Sequence, residues 1–305
     1  MTDPAPAMPA TADRVASGRT QPPVALTIAG SDSGGAAGLQ ADIKTMAALG
    51  VYATTAVTLV TAQNSMEVRD VVHLSAGLVD SQISAVVDDL PVEAVKTGML
   101  GSAAVVEAVA RRAAAGDLPG LVVDPVLVTS TGRVTMTDEG IDAYRTLLLP
   151  HALVATPNLW EAALLAGMEP AAVEDVPGMS TAARHVHAFG PAWVLVKGGH
   201  LPGVEADAGD APDDVVDVLY DGTDITVLRG PRVDTPNTHG TGCSLSAAVA
   251  AHLARGAAVA RAVEAATVFV RRALVDGATW HLGGGHGPID HFGWSSGPPG
   301  HPDRR

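Results

Sequence analysis

Strand-like and helix-like segments alternate along this chain from about residue 24 to about residue 276, and that alternation restricts the fold more than any other feature. Short apolar runs of the buried-strand type stand at Val24–Ala29, Val92–Val95, Leu121–Val123, Leu153–Ala155 and Trp193–Val196. Tyr52–Val60 is rich in Thr and Val, which favours a further strand. Between them lie stretches of helical periodicity. Leu39–Leu49 carries apolar residues at 39, 43, 46 and 49 and ends at Gly50, a natural C-cap. Ser75 caps a helix to about Asp89, and Ser102 opens one that ends near Gly116. Helices are also predicted over Asp138–Leu148, Asn158–Ala166, Ser180–Phe189, Gly242–Arg255 and Ala260–Asp276. Val215–Tyr220 and Asp224–Leu228 flank Asp221-Gly222-Thr223 and read as a hairpin. Parallel strands need crossover connections, usually helical. The pattern therefore predicts a doubly wound, mainly parallel α/β sheet in one domain over residues 23–294. Residues 1–22 and 295–305, rich in Pro and small polar residues, read as disordered tails. Gly203–Asp214 is acidic and Gly/Pro-rich and reads as a mobile surface loop.

Composition narrows the function classes. A net charge of −14 argues against a nucleic-acid or anionic-membrane partner, since both need clustered Lys and Arg. A phosphate ligand must then be held locally, by backbone N–H groups, a few cations and a metal. The single cysteine, Cys243, excludes an internal disulfide framework and a Cys-based zinc site. There is no apolar run of the roughly 18 residues a membrane span needs. Met1–Pro23 has no apolar core of a secretory signal, so cytoplasm is the expected compartment.

In a doubly wound sheet, ligands sit beyond the C-terminal ends of the strands. The loops there are the candidates. Gly30-Ser31-Asp32-Ser33-Gly34-Gly35 follows the first strand and is also explained as a tight turn. Asp42 lies one position from the apolar stripe of the next helix, where a carboxylate is usually a solvated edge residue. Gln63, in Ala62-Gln63-Asn64, can pair with a ring nitrogen and an exocyclic amine together. Met99, in Lys96-Thr97-Gly98-Met99-Leu100, reads equally as core. Asp124, in Asp124-Pro125-Val126, stands at the sheet edge, a place for Mg²⁺ or its water. Asn158 and Glu161 have the spacing of a capping box, a role compatible with facing the crevice. Lys197, followed by Gly198-Gly199-His200, can reach a nucleotide phosphate.

The sharpest signal is Asn237-Thr238-His239-Gly240-Thr241-Gly242-Cys243-Ser244, which runs into a helix. A glycine-opened helix start offers free N–H groups and a positive dipole end to an anion. A thiol placed there is expected to have a lowered pKa. The bland alternative is a buried Cys acting as a small hydrophobe.

Together these loops resemble the hydroxymethylpyrimidine/phosphomethylpyrimidine kinases of thiamine biosynthesis, in the ribokinase superfamily. The resemblance runs in order from Ala25–Gly35 and Gln40-Ala41-Asp42, through the motifs above, to Gly285-His286-Gly287-Pro288-Ile289. It implies a three-layer α/β/α ribokinase-like fold, ATP as co-substrate and Mg²⁺. It implies phosphorylation of 4-amino-5-hydroxymethyl-2-methylpyrimidine, then of its monophosphate, with a small-molecule pyrimidine as substrate and a homodimer as assembly. Carried over, Gly30, Asp42, Gln63, Met99, Val126 and Cys243 line the pyrimidine site. Asn158 and Lys197 fall on the ATP side, and Asp124 and Glu161 on the metal. Gly240, Thr241, Gly242 and Cys243 present backbone N–H groups to the transferring phosphate, with Cys243 as proton acceptor. Many sugar kinases of the superfamily carry Asp where Cys243 stands. Two other readings are a pyridoxal kinase of the same superfamily and a non-catalytic pyrimidine-binding sensor.

Overall fold

The apolar run at Val24 forms a strand buried along nearly its whole length, as one covered on both faces must be. The computed structural model describes residues 20–128, 134–199 and 214–295. In chain order the elements are β1 (Val24–Asp32), α1 (Gly38–Ala48), β2 (Tyr52–Gln63), β3 (Val68–His73), α2 (Ala76–Val87), β4 (Val92–Thr97), α3 (Ala103–Ala114) and β5 (Val122–Val123). There follow α4 (Asp138–Ala143), β6 (Val154–Ala155), α5 (Leu159–Ala166), α6 (Val176–His187), β7 (Trp193–Lys197), β8 (Asp214–Tyr220), β9 (Ile225–Pro231), α7 (Thr241–Ala254) and α8 (Val259–Gly277). Among the described residues the nine strands form one sheet in the order β3-β2-β1-β4-β5-β6-β7-β8-β9. Pairing is parallel from β2 through β1, β4, β5 and β6 to β7, and antiparallel at both ends.

Helices cover both faces. On one side Met46 of α1, Val249 of α7 and Val263 of α8 pack on Ala25, Val122 and Leu195 of the sheet. On the other, Ile83, Val106, Leu165 and Val186 from α2, α3, α5 and α6 pack on Leu26, Val95 and Val123. The result is the expected α/β/α arrangement. Because β1 is followed by β2 on one side and β4 on the other, the strand order reverses at β1. A crevice opens where a sheet reverses in this way.

Local signals that rest on side-chain chemistry reappear as geometry. Ser75 and Ser102 accept hydrogen bonds from the N–H groups of Leu78 and Val105 at the starts of α2 and α3. Asp221 Oδ1 accepts from Thr223 and Asp224 N–H in the hairpin turn, at 2.8 and 2.7 Å. Boundaries moved where tertiary pairing extended an element. β1 continues through Gly30-Ser31-Asp32 because Asp32 pairs with Thr61, and β2 continues to Gln63 against β3. The helix expected at Ser180 starts at Val176, capped by Asp175, with Pro177 in the first turn where a missing N–H costs nothing. The helix expected over Asp138–Leu148 is α-helical only to Ala143 and continues as a π-turn over Tyr144–Leu148. The segment 200–213, with His200 and nearly all of the acidic loop, and most of the two expected tails lie outside the described residues.

Candidate active site

The crevice above β1 and β4 is closed by the start of α7. Gly240, its N-cap, has φ of +84°, and a Cβ there would run into the Ala36 carbonyl, so only glycine fits. The Thr241 N–H turns back to Thr238 O at 3.3 Å, and the first intrahelical bond is Ser244 N–H to Gly240 O at 2.8 Å. The N–H groups of Gly242 and Cys243, inside the first turn, have no intrahelical acceptor. Of the four groups expected to face a phosphate, Thr241 has its N–H already engaged.

On the side of β1 and β4, Asp42 is fully buried rather than a solvated edge residue. Its carboxylate accepts from Lys96 Nζ at 3.0 and 2.8 Å and from Thr27 Oγ1 at 2.6 Å. The reason is its helix, α1, which packs on β1 with this residue turned toward the sheet. Burial pushes the Asp42 carboxyl up, and the Lys96 ammonium and Thr27 hydroxyl oppose that. The adjoining Asp42 and Asp124 charges hold Lys96 protonated against its own burial. Gly30 is buried near the end of β1. Met99 and Val126 are half-buried at the ends of β4 and β5, and the Met99 carbonyl accepts from Thr58 Oγ1 at 2.7 Å. Gln63, on β2, places its amide nitrogen 3.3 Å from His239 Nε2.

On the side of β5 to β7, Lys197 Nζ donates to Asp124 Oδ1 at 2.8 Å. Ser246 Oγ donates to Asp124 Oδ2 at 3.0 Å. The same ammonium lies 3.3 Å from where a Cβ on Gly242 would stand, so that glycine lets the lysine lie against the helix start. Asn158 and Glu161 form the capping box: Asn158 Oδ1 accepts from Glu161 N–H, and Glu161 Oε2 from Asn158 N–H, both at 2.9 Å. Burial, with Asp124 adding repulsion and Lys197 opposing it, pushes Glu161 up to about 8.

Cys243 joins the two sides. Lys96, Asp42 and Asp124 all act on its thiol electrostatically. The expected lowering of its pKa is overturned. Burial pushes the thiol up to about 11, aided by Asp42 and Asp124, while Lys96 and the Gly38 N–H pull the other way. Partial desolvation of a thiolate at this half-buried position, beside two carboxylates, outweighs the helix start. Cys243 at rest is therefore a thiol.

Several residues in this crevice were not singled out from the sequence. Lys96 was visible only as part of a motif, and nothing local marks a strand lysine as buried. Ser246 lies one turn beyond Cys243 on a small-residue helix, and only the approach of β5 gives it Asp124 as partner. His239 sits in the quoted motif, but its neighbours Gln63 and Asp32 are brought to it by folding.

Comparison with known proteins identifies the family. Residues 32–290 match the family model described as phosphomethylpyrimidine kinase. The hydroxymethylpyrimidine/phosphomethylpyrimidine kinase of Streptomyces coelicolor is 50% identical over 276 residues, which is 90% of this chain and 96% of that protein. The thiamine biosynthetic bifunctional enzyme TH1, chloroplastic, of Arabidopsis thaliana is 44% identical over 88% of this chain and 50% of its own length. Among solved structures, the ADP complex of Bacillus subtilis pyridoxal kinase superposes with a TM-score of 0.79 at 38% identity, covering 90% of this chain and 99% of that one. With its family model spanning most of the chain and 50% identity over 276 residues to a kinase covered to 96% of its length, this chain belongs to the phosphomethylpyrimidine kinase family.

Proposed function

We infer that this chain phosphorylates the hydroxymethyl group of 4-amino-5-hydroxymethyl-2-methylpyrimidine with ATP, then adds a second phosphate to the monophosphate, in thiamine biosynthesis. The observation that carries the reading is the start of α7. It sets two unengaged N–H groups and Cys243 between the Gln63 side of the crevice and the Lys197–Asp124 side. Phosphoryl transfer needs positioning and charge neutralisation more than covalent chemistry. Gln63 reads the amine and ring nitrogen of the pyrimidine, with Gly30, Asp42, Met99 and Val126 forming its surroundings. The N–H groups of Gly242 and Cys243 meet the transferring phosphoryl oxygens, and Lys197 moves from Asp124 toward a nucleotide phosphate. Asn158 borders the nucleotide.

The residues present fit a magnesium ion that arrives with the nucleotide. Glu161 and Asp124 are both buried and near enough for each charge to act on the other, with the Lys197 ammonium beside them. Among the described residues no group of three or more His, Cys, Asp or Glu is arranged to hold a metal by itself. Mg²⁺ commonly keeps its waters and binds through one or two carboxylates plus substrate phosphates. Asp124 and Glu161 are the carboxylates that would hold it, and bound there it would neutralise charge between the phosphates. Cys243 contacts the hydroxymethyl group. As a resting thiol it serves as proton acceptor only after giving up its own proton. A loose transition state makes early removal of the alcohol proton unnecessary.

Residues 23–294 make up one kinase domain, acting in the cytoplasm as a homodimer. Among the described residues no helix is long and apolar enough to cross a membrane. The decisive experiment measures ATP consumption with the pyrimidine alcohol, its monophosphate and pyridoxal in parallel. Turnover is expected with the first two, and a kcat/KM for pyridoxal lower by about a hundredfold, since a site built around paired hydrogen bonds rejects a ligand that leaves them unmade. Preference for pyridoxal would make the chain a pyridoxal kinase. Binding of the pyrimidine without ATP consumption would make it a sensor.

A further inference from the structure

The geometry points to His239 as the positioning residue that decides which way round Gln63 presents its amide, and so in which orientation an aminopyrimidine edge is read. This rests on the reading of Gln63 as the pyrimidine contact.

His239 is held by backbone that does not belong to the substrate loops. Its N–H donates to Gly287 O at 3.1 Å, and the residue pairs with Pro288 in a parallel bridge. Two residues earlier, Asn237 Nδ2 donates to Gly277 O at 2.8 Å and to Trp280 O at 2.9 Å. From this mount the ring Nε2 stands 3.3 Å from Gln63 Nε2 and 3.8 Å from Asp32 Oδ2. Asp32 is fixed in turn. Its Oδ1 accepts from Gly34 N–H at 2.8 Å, and its Oδ2 from Ala36 and Ala37 N–H at 3.0 and 2.8 Å. Although burial opposes it, the contact with His239 and these N–H groups hold the Asp32 carboxyl below its ordinary value.

An ionised carboxylate facing Nε2 favours a proton on that nitrogen over a lone pair. An Nε2–H cannot accept a hydrogen bond from the Gln63 NH₂. The oxygen and nitrogen of a terminal amide exchange places by a simple flip, and the hydrogen-bond network decides between them. The network consistent with an N–H on His239 turns Gln63 Oε1 toward the ring and its NH₂ away from it. A 4-aminopyrimidine offers a donor amine beside an acceptor ring nitrogen. A fixed amide meets that edge in one orientation only, oxygen on the amine and NH₂ on the ring nitrogen. A hydroxypyridine edge lacks this donor–acceptor order and gains less from a fixed amide. His239 thus acts on selectivity through Gln63, without touching the reacting atoms.

The test is a double-mutant cycle read by calorimetry of pyrimidine binding, with kcat/KM for the pyrimidine and for pyridoxal measured on the same proteins. His239→Ala is expected to weaken pyrimidine binding about tenfold, the scale of one well-made hydrogen bond. It should leave the KM for ATP unchanged and narrow the preference over pyridoxal. In a Gln63→Ala background the same change should add less than about twofold, because coupled residues are non-additive. His239→Gln, whose amide can donate from nearly the same place, should recover most of the loss. Equal loss in both backgrounds, a matching loss for ATP, or no loss at all would overturn the inference. If Gln63→Ala alone leaves binding unchanged, the reading of Gln63 falls and takes this one with it. If Gln63→Ala weakens binding and His239→Ala does not, only the role of His239 falls.

Discussion

Two lysine–aspartate pairs border the crevice, and they differ chiefly in access to water. Lys96–Asp42 and Lys197–Asp124 both close at 2.8 Å. The first is sealed, with both side chains 0% exposed, whereas 12% of the Lys197 side chain stays open. A sealed pair cannot change partners, because moving either charge strands the other in a medium that solvates neither. An open pair can trade its carboxylate for an arriving phosphate, and water screens the intermediate geometry. Lys96–Asp42 therefore reads as a fixed support beneath Cys243, and Lys197–Asp124 as a pair that opens when a nucleotide binds.

The comparison can be broken most directly at the sealed pair. Lys96→Met leaves Asp42 buried without its cation, and the protein should lose about 3–5 kcal/mol of stability. Denaturant unfolding reads this as a lowered midpoint at unchanged slope. A midpoint within error of wild type would mean that the pair is not the support described. At the open pair the expected effect is smaller and falls on function. Lys197→Ala should raise the KM for ATP about tenfold or more, the worth of one charge-assisted hydrogen bond, with less effect on the KM for the pyrimidine. Its loss of stability should be less than that of Lys96→Met. If the pyrimidine KM rises instead, Lys197 belongs to the other side of the crevice.

The finest probe lies between the pairs. Because Cys243 is the only cysteine, its alkylation by iodoacetamide against pH reports one thiol without interference. The thiolate is the reactive form, so the rate should still be climbing above neutral pH and reach its midpoint only near the value of about 11. A midpoint below about 8, the range of thiols activated at helix starts, would show that the N-terminus of α7 outweighs burial after all.

How much of this was legible depended on whether the controlling interaction was local. The serine caps of α2 and α3, the Asn158–Glu161 box and the Asp221 turn are set within a few residues, and they could be read from the chain. β3 was missed because Val68–His73 is exposed throughout and carries no buried face to leave a period. It exists because β2 offers it an antiparallel edge. For Asp42 the helical stripe suggested a solvated edge, and only the family resemblance placed it in the pyrimidine site. The identity of the residue across the sheet, Lys96, was 54 positions away and invisible to that reasoning. For Cys243 the local signal was present and lost to a non-local one. The helix start favours the thiolate, but its half-buried position and the Asp42 and Asp124 carboxylates that folding brings beside it disfavour the charge.

By itself the sequence determined the alternating elements, the loops that end at one edge of the sheet and the identity of the groups those loops carry. These follow from periodicity and from the few backbone conformations that Gly, Ser, Asp and Asn permit. The tertiary structure alone decided which charges are sealed and which are open, that the thiol stays protonated, and that His239 stands between Asp32 and Gln63. Each of those depends on dielectric surroundings and on distances between residues far apart in the chain. No pattern along the chain encodes the water that folding excludes.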